Sequence, residues 1–298
     1  YGDHRYLHSF PTRRSSDLRC VCTFLFVGDC KDINFNFLLI MKTPITYYGG
    51  KQSMLKHILP LIPTHKRYTE TFCGGAAVLF AKEQVESEII NDLNGELINF
   101  YWVAQAYYPE LWSEIQRTLH SRELHSHARH INTHPVFFTP AQRAWAVWAL
   151  SKLSFASKQD GSFGYDFSGG MPKKLRGAKD NFTEMLCQRL EYVTVENKDA
   201  FDVLLKYDSE ETFHFVDPPY VGSDCGHYSG MFMETHLVDL LSILGSIKGK
   251  FMLTMFPNDL IKEVAIRNNW VIHSVSRTIS AAKTTRRKQE EWIICNYV

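Results

Sequence analysis

The stretch Asp217-Pro218-Pro219-Tyr220 constrains the fold of this chain more than any other. It closes residues 212–216, whose β-branched and aromatic side chains predict a buried parallel strand. Two consecutive prolines cannot continue a strand inside a sheet, because neither offers the backbone donor that the ladder requires. The chain must therefore leave the sheet rigidly here, in a loop that carries a carboxylate, prolyl carbonyls and an aromatic ring.

These groups suit a planar ligand that carries an amino group. The Asp217 carboxylate and a prolyl carbonyl can each accept one hydrogen of the amine, while the Tyr220 ring stacks on the face of the ligand. The exocyclic amine of a nucleobase meets this description. The alternative is an ordinary strand followed by a proline-rich turn and a loop aromatic, and the tetrapeptide alone does not decide between the two.

Length and composition limit the classes of protein that remain. The 298 residues suit one large α/β domain with an insertion, or one and a half domains. A net charge of +1 argues against a generally basic nucleic-acid binder, but it permits a DNA enzyme whose basic residues line one cleft. No apolar run reaches transmembrane length. The seven cysteines are irregularly spaced, which favours reduced thiols in a cytoplasmic protein over disulfides or a zinc site.

The first forty residues differ in character from the rest. Residues 9–18 show no periodicity and resemble the conceptual translation of a sequencing adapter, and the apolar runs that follow are too short for a signal peptide. We therefore expect residues 1–40 to be a non-native or disordered extension that carries no chemistry, with Met41 as the natural start.

Two glycine-containing segments predict a small-molecule site. The strand expected to end at Phe72 runs into a turn containing Gly74 and then into an apolar helix, which places backbone N–H groups at the rim of a pocket. An earlier aromatic segment ends in two glycines and a lysine, which allow a ligand to approach the backbone closely, although a solvated turn is the alternative there. That segment is Tyr47-Tyr48-Gly49-Gly50-Lys51.

Acidic residues follow three of the predicted strands. Asp92 lies close to twenty residues after the glycine turn, the usual separation for a carboxylate that accepts hydrogen bonds from ribose hydroxyls. It could also cap the helix predicted at residues 95–103. Asp199 and Asp217 follow the strands predicted at 192–196 and 212–216, so three acids are expected at the carboxyl edge of one sheet.

Residues 104–190 interrupt the alternation of strands and helices. They include predicted helices at 111–119 and 141–153, separated by five histidines whose spacing matches no common zinc site. A glycine-rich aromatic loop at 161–170 precedes basic residues that suit phosphate contact and base stacking, with a solvated loop as the alternative. These basic residues are Lys173, Lys174, Arg176 and Lys179, and a second basic loop near the C-terminus contains Arg286 and Arg287.

Together these motifs resemble those of the Dam-type (DPPY) adenine-specific DNA N6-methyltransferases over about residues 43–298. The order and spacing of the motifs are more specific than any one of them. One departure is Ala76, which stands where the family's glycine motif has its last glycine. The matching segments are the aromatic–Gly-Gly-Lys element at 47–51, the glycine motif at 72–76, Asp92 with Asn94, the catalytic motif at 217–220 and a closing strand at 290–297.

The resemblance implies an α/β fold with a Rossmann-like S-adenosylmethionine-dependent methyltransferase sheet, formed by residues 41–103 and 191–298. Residues 104–190 would be an inserted helical target-recognition region. The cofactor would be S-adenosylmethionine, and the partner double-stranded DNA, for a monomeric cytoplasmic enzyme without a metal or a membrane anchor. The implied catalytic residues are Asp217, Pro218, Pro219 and Tyr220, and the implied cofactor contacts are Tyr47, Tyr48, Gly49, Gly50, Lys51, Phe72, Gly74, Asp92, Asp199 and Asp217.

The expected reaction is methyl transfer to the exocyclic amine of a flipped adenine. One alternative is an amino methyltransferase that acts on RNA or on a protein glutamine, in which asparagine often stands at the position of Asp217. Another is a catalytically silent homologue that binds DNA, against which the intact Lys51, Asp92 and Tyr220 argue. The target sequence, and whether the enzyme acts alone, beside a restriction enzyme or for a phage, stay open.

Overall fold

The computed structural model describes residues 41–47, 49–158, 160–221, 232–279 and 287–298. Seven strands in these residues form one sheet. The prediction for residues 1–40 lies outside the described part of the chain. The strands are β1 (Arg67–Glu70), β2 (Ser87–Asn91), β3 (Val193–Glu196), β4 (Thr212–Val216), β5 (Lys250–Met255), β6 (Val271–Ile279) and β7 (Arg287–Cys295).

The order of the strands is β3-β2-β1-β4-β5-β7-β6. The first five strands are parallel, and β7 runs antiparallel between β5 and β6. All five residues of β4 are buried, as expected for an interior strand of a sheet that is covered on both faces. The prediction of a buried parallel strand at residues 212–216 is confirmed.

A topological switch point lies between β1 and β4. From β1 the chain moves outward through β2 and β3, and it then returns to the other side of β1 to form β4 and β5. The connections that leave β1 and β4 therefore diverge, which opens a crevice at the carboxyl ends of these two strands. In open α/β sheets ligands bind in such a crevice.

Eleven α-helices accompany the strands in the described residues. Six of them lie between β2 and β3, which makes this connection the largest in the chain. They are α1 (Leu55–Ile58), α2 (Ala77–Ala81), α3 (Gly95–Ala106), α4 (Tyr108–Arg117), α5 (Arg122–Thr133), α6 (Pro140–Leu153), α7 (Gly170–Asp180), α8 (Glu184–Leu190), α9 (Ala200–Lys206), α10 (Glu234–Leu244) and α11 (Asp259–Asn268).

Helices cover both faces of the sheet. Phe213 and Phe215 of β4 join a hydrophobic cluster that extends through α3 to α6, whereas Val216 belongs to a second cluster with α10 and α11. This alternation follows from the two-residue period of a strand. The expected Rossmann-like α/β sheet is confirmed. No helix in the described ranges is long and apolar enough to cross a membrane.

The histidine-rich stretch forms a helix, α5, that the sequence pattern did not predict. Its buried residues are His125, Ala128 and Ile131, which recur at three-residue spacing and pack toward α6. Ser121 caps the helix through its side chain, which accepts a hydrogen bond from Leu124 N at 3.4 Å. The helical period was hidden because a polar residue, His125, occupies a position on the apolar face.

His214 makes the stability of the fold depend on pH. Its side chain is fully buried in β4, with Nδ1 2.7 Å from Thr69 Oγ1 and Nε2 3.4 Å from Asp208 Oδ1. Burial lowers the pKa of His214 to about 4, although Asp208 opposes the shift. The ring therefore stays neutral in the folded state under conditions where an exposed histidine would bind a proton.

We expect the free energy of unfolding to fall as the pH drops from about 6.5 to about 4. In that window the unfolded chain binds a proton at His214 that the folded chain excludes, at a cost approaching ~1.4 kcal/mol per pH unit. Denaturant unfolding at pH 7, 6 and 5 measures this effect. His214→Gln should reduce the change in the free energy of unfolding between these pH values. His127→Gln, at an exposed position of α5, should leave that change as it is in the wild type.

Candidate active site

A cavity lies at the switch point between β1 and β4. It encloses about 730 Å³ of empty space, its open mouth included. Its walls come from the segment before α1, from the glycine turn after β1, and from the loops after β2 and β4. The lining residues are Tyr47, Gly49, Gly50, Lys51, Glu70, Phe72, Cys73, Gly74, Gly75, Ala77, Asp92, Asp217, Pro218, Pro219 and Tyr220.

The two oxygens of Asp217 have different surroundings. Oδ1 lies 2.5 Å from Lys51 Nζ and accepts a hydrogen bond from Thr254 Oγ1 at 2.7 Å. Oδ2 has no hydrogen-bond partner among the described residues. The side chain is 17% exposed and lines the cavity. One oxygen is thus anchored by the protein, while the other can accept a hydrogen from a ligand.

Lys51 holds two acids and a phenol together. Its side chain is 3% exposed, and Nζ lies 3.4 Å from Glu291 Oε1 and 3.4 Å from the Tyr220 hydroxyl. The Tyr220 hydroxyl in turn donates a hydrogen bond to Glu291 Oε1 at 3.1 Å. Glu291 comes from β7 and is fully buried. One ammonium group is therefore shared between the carboxylates of Glu291 and Asp217.

Burial and charge act against each other in this network. Burial raises the pKa of Asp217 above its usual value, and the charge of Lys51 opposes the shift without cancelling it. Burial alone would lower the pKa of Lys51, but the neighbouring acids outweigh it and the pKa is raised. The shift of Asp217 thus comes mainly from burial, whereas the shift of Lys51 comes from the combined charges of its neighbours.

The Tyr220 ring is oriented from two sides. Phe256, just after β5, stacks on it with 3.8 Å between ring centroids and 19° between ring planes. Glu291 holds the hydroxyl group at the rim of the same ring. With both the plane and the edge of the ring fixed, Tyr220 presents a defined aromatic surface at the cavity.

The glycines that precede α1 and α2 lie so close to Tyr47 that a side chain would collide with it. A Cβ at Gly50 would lie 2.9 Å from the carbonyl oxygen of Tyr47, so no side chain fits there. Gly74 has φ +46°, and a Cβ on it would lie 3.0 Å from Tyr47 Cδ1. The ring of Tyr47 therefore rests on the glycine turn and forms a wall of the cavity.

Ala76 takes the left-handed conformation, with φ 50° and ψ 41°, at the N-terminus of α2. This is the position at which the sequence has alanine in place of the last glycine of the motif. A side chain with a Cβ is strained in this region by about 1 kcal/mol. The turn keeps its shape despite the substitution, because Ala76 N donates to Cys73 O and Ala76 is fully buried.

Asp92 holds the glycine turn against the end of β2. Its Oδ2 accepts a hydrogen bond from Gly74 N at 3.0 Å, and its Oδ1 accepts from Asn94 N at 2.9 Å. The cap of α3 is Asn94, whose Oδ1 accepts from two amides of the first turn, so the alternative interpretation of Asp92 as the cap of this helix is wrong. The buried Asp92 carboxylate instead faces the cavity.

The chain matches the model of the D12 class N6 adenine-specific DNA methyltransferase family over residues 47–279. The chain belongs to this family. It is 26% identical over 276 residues to the type II methyltransferase M1.LlaDCHI of Lactococcus lactis subsp. cremoris, covering 84% of this chain and 93% of that protein.

Two further relatives share shorter or more distant similarity with this D12 class methyltransferase. Type II methyltransferase M.FokI of Planomicrobium okeanokoites is 22% identical over 291 residues, which cover 86% of this chain and 43% of that protein. A DNA N-6-adenine-methyltransferase of Escherichia phage P1 is 42% identical over 57 residues, which cover 19% of this chain and 7% of that protein. The chain thus spans less than half the length of M.FokI.

Most of the site residues predicted for this D12 class methyltransferase line the one cavity. Tyr48 lies outside the described residues. Asp199 is exposed and caps α9, with Oδ1 accepting from Phe201 N at 2.8 Å, and it is absent from the residues that line the cavity. The residues brought together are Tyr47, Gly49, Gly50, Lys51, Phe72, Gly74, Asp92, Asp217, Pro218, Pro219 and Tyr220.

The basic residues predicted to contact DNA divide into two groups. Lys173, Lys174 and Arg176 are exposed on α7. Lys179 is half-buried and donates to Gln116 O at 2.8 Å, and burial lowers the pKa of its amine. In the second loop, Arg286 lies outside the described residues and Arg287 begins β7.

No group of three or more His, Cys, Asp or Glu that could hold a metal occurs in the described ranges.

Sequence reasoning missed four residues that shape this methyltransferase cavity. Glu291 carried a detectable signal, because it occupies an inward position of a strand whose next inward residue, Ile293, is fully buried. The other three lie at or next to the ends of strands, without any motif around them. They are Glu70, Thr254 and Phe256.

Proposed function

We propose that this chain methylates the N6 amine of adenine in double-stranded DNA, with S-adenosylmethionine as the methyl donor, in the cavity between β1 and β4. The observation that carries the proposal is the geometry of Asp217, one oxygen of which is fixed by Lys51 and Thr254 while the other is free to accept a hydrogen. Membership of the D12 class supports the substrate and the cofactor.

The lining of the cavity fits a cationic nucleoside. Among the lining residues that the structure describes, Lys51 is the only basic side chain, against the acids Asp92 and Asp217, and a third acid, Glu70, loses its proton at a pKa of about 8. Asp92 lies beside the glycine turn, where it would hold the ribose, and Lys51 and Asp217 lie at the other end, beside the catalytic loop. S-adenosylmethionine, when bound, supplies a methyl group on a positively charged sulfur.

Asp217 and Pro218 would prepare the adenine amine for reaction. The N6 lone pair is delocalised into the ring, which makes the nitrogen a poor nucleophile. Asp217 Oδ2 and the Pro218 carbonyl each accept one N6 hydrogen, and these two bonds favour a pyramidal nitrogen whose lone pair points out of the ring plane. Catalysis then consists mainly of positioning and of charge placement.

Tyr220 would receive the adenine after it leaves the duplex. Extracting a base costs a few kcal/mol, which stacking and hydrogen bonds in the pocket offset. Because Phe256 and Glu291 fix the ring of Tyr220, little side-chain entropy is lost when a base stacks on it. The same loop thus supplies the hydrogen-bond acceptors and the aromatic surface.

The helices between β2 and β3 would bind the duplex and read its sequence. Arg122 of α5 lies over the rings of Phe163 and Tyr165, at 5.0 and 5.9 Å from their centroids. Arg129 lies two turns further along α5, about 10 Å by the rise of a helix. Neither guanidinium forms an ion pair with a carboxylate within the described residues, and both are exposed.

The positive charges of Arg122 and Arg129 act on the side chain of the buried His125. Burial lowers the pKa of His125, and the charges of Arg129 and Arg122 lower it further. His125 Nε2 lies 3.1 Å from Ser154 Oγ, which connects α5 to the loop that follows α6. A positive surface next to the exposed ring of Tyr165 suits the phosphates and bases of DNA. We call Arg122 and Arg129 the α5 arginines.

Glu70 should make cofactor binding depend on pH. It is buried at the end of β1, where its Oε2 accepts from Tyr68 OH at 2.9 Å and from Leu79 N at 3.1 Å, and burial raises its pKa to about 8. A bound cation lowers that pKa and releases the proton, so the affinity for S-adenosylmethionine should rise as the pH increases from 6 to 8. Calorimetry across this range measures the trend, and Glu70→Gln should abolish it. A wild-type affinity that falls with rising pH would contradict the assignment.

Asp217→Ala should reduce methyl transfer at least 1,000-fold, or roughly 4 kcal/mol of transition-state stabilisation. The assay is transfer of labelled methyl groups to plasmid DNA, followed by mapping of N6-methyladenine. Duplex binding should survive, because Asp217 lies in the cavity and not on the proposed DNA surface. Asp239→Ala, at an exposed acid of α10, is the control and should retain full activity. If the wild type transfers methyl groups only to RNA or only to protein, DNA is not the substrate and the proposal is wrong.

Replacing both α5 arginines by alanine should weaken duplex binding to all sequences alike. The slope of log K against log salt should fall by roughly 2, since each lost phosphate contact removes about 0.9. The matched control is the pair Lys248→Ala and Arg267→Ala, both exposed at the edge of the sheet opposite the cavity, which should leave the slope unchanged. Equal slopes for the wild type and the α5 variant would remove this helix from the DNA surface.

A further inference from the structure

We infer that Lys152 and Thr46 form an anion site beside the wall of the cavity, and that this site holds the phosphate next to the extruded nucleotide. The inference rests on the proposed function, because it takes DNA as the substrate and extrusion of the adenine as a step. It assigns a role to two residues that are not among the residues lining the cavity.

Lys152 joins the end of α6 to the segment that precedes the glycine pair. It is the next-to-last residue of α6, and its Nζ donates to Thr46 Oγ1 at 3.0 Å. Lys152 is half-buried, whereas Thr46 is exposed. The residue after Thr46 is Tyr47, which lines the cavity. The amine is therefore fixed next to the cavity wall, at an accessible place.

The two side chains have more hydrogen-bond donors than acceptors. An ammonium group offers three donors and no acceptor, and Thr46 takes one of them. Because the Thr46 hydroxyl accepts from Lys152, its own hydrogen is left to donate. Among the residues that the structure describes, none accepts these remaining hydrogens, and no carboxylate forms an ion pair with Lys152. Two N–H groups and one O–H group thus lie together without an acceptor.

The charge of Lys152 is not compensated either. Burial lowers the pKa of its amine to about 8, and no neighbouring charge contributes to the shift. The segment that contains Thr46 and the helices packed against α6, which are α3, α4, α5 and α7, do carry charged or titratable groups, but none of these acts on Lys152. They include Lys51, Glu96, Glu114, His125, Arg129 and Lys174.

A phosphodiester would supply both the missing acceptors and the missing charge. It presents two unesterified oxygens that share one negative charge, and lysine and threonine are among the residues that contact DNA phosphates. The position beside Tyr47 favours the phosphate next to the base that enters the cavity. The α5 arginines, in contrast, are assigned to phosphates of the duplex itself.

Such a contact would favour the complex in which the base has been extruded. Extrusion rotates a nucleotide about its backbone, so the phosphates beside it leave the positions that they have in a stacked duplex. Lys152 should therefore strengthen binding to DNA that contains the target site. It should contribute little to binding of other sequences, in which no base enters the cavity.

The test compares Lys152→Met with the wild type in duplex binding with saturating S-adenosylhomocysteine, which cannot donate a methyl group. One duplex contains the methylated site mapped in the plasmid assay, and a second duplex of equal length lacks it. We expect the variant to bind the first duplex about tenfold more weakly at pH 7, because a charge-assisted hydrogen bond is lost. Its affinity for the second duplex should be nearly unchanged, and equal weakening for both duplexes would overturn the inference.

The pH dependence distinguishes a phosphate contact from a purely structural link between α6 and Thr46. A bound phosphate raises the pKa of Lys152, so binding takes up a proton once the pH exceeds about 8. The affinity of the wild type for the first duplex should then fall, by up to about tenfold per pH unit. Lys152→Arg keeps its charge at every pH and should not show this fall. A wild-type affinity that stays constant between pH 7 and pH 9 would contradict the inference.

Lys179→Arg is the matched control. Burial also lowers the pKa of Lys179, but its amine already donates to Gln116 O at 2.8 Å. The fall in affinity above pH 8 should persist in this variant. If the fall disappears there instead, the titrating group is Lys179 and the role assigned to Lys152 is wrong.

Calorimetry with S-adenosylmethionine separates the two anions that could reach Lys152. Lys152→Met should bind the cofactor as the wild type does, and a loss confined to the cofactor would give the amine to the cofactor's carboxylate and overturn the inference. If Lys152→Met fails to fold, Thr46→Val replaces it, since this exposed residue supplies the third donor. Thr46→Val should weaken binding to the first duplex alone, and unchanged binding would count against the site.

The wild-type measurements keep the two proposals apart. If the wild type methylates no DNA, the proposed function fails. If the wild type methylates DNA and the Lys152 variants bind both duplexes as it does, only the anion site fails.

Discussion

The contact between Lys51 and Asp217 is the interaction on which the rest of the site depends. A buried carboxylate loses its hydration, which costs several kcal/mol. The ammonium group of Lys51, 2.5 Å from Asp217 Oδ1, offsets this cost and stabilises the ionised form of Asp217. The lysine reaches this place because the chain turns at Gly50, which has no room for a side chain. The acid reaches it because two prolines end β4 beside β1. Neither group has a reason to be buried without the other.

The order of the strands explains which features of the site were predictable from sequence. In a parallel sheet the residues after successive strands meet at one edge, so sequence alone could assign an acid after β2 and another after β4 to one cavity. The same rule misleads for Asp199, since β3 is the outermost strand and lies two strands away from β1. Its acid is accordingly exposed and caps α9. The rule identifies the edge of the sheet, but the strand order decides the distance from the cavity.

The residues that sequence reasoning missed come from pairings that no local pattern encodes. Glu291 reaches Lys51 and Tyr220 because β7 inserts antiparallel between β5 and β6, and Phe256 reaches Tyr220 because β5 adjoins β4. Helix α5 was missed for a related reason, since a buried histidine occupies a position where an apolar residue would have revealed the period. In each case a polar or isolated side chain is placed by tertiary contacts, whereas the strands and the glycine turns carry their own local signals.

The helices proposed to bind DNA share a continuous core with the sheet. One hydrophobic cluster includes Phe213 of β4 together with Trp148 of α6. At the end of α6, Lys152 donates to Thr46 Oγ1 at 3.0 Å, directly before Tyr47 in the wall of the cavity, and burial lowers the pKa of this lysine to about 8. A duplex held by α5 and α7 would therefore be held at a fixed distance from the acceptors of Asp217, which is what transfer to a single extracted base requires.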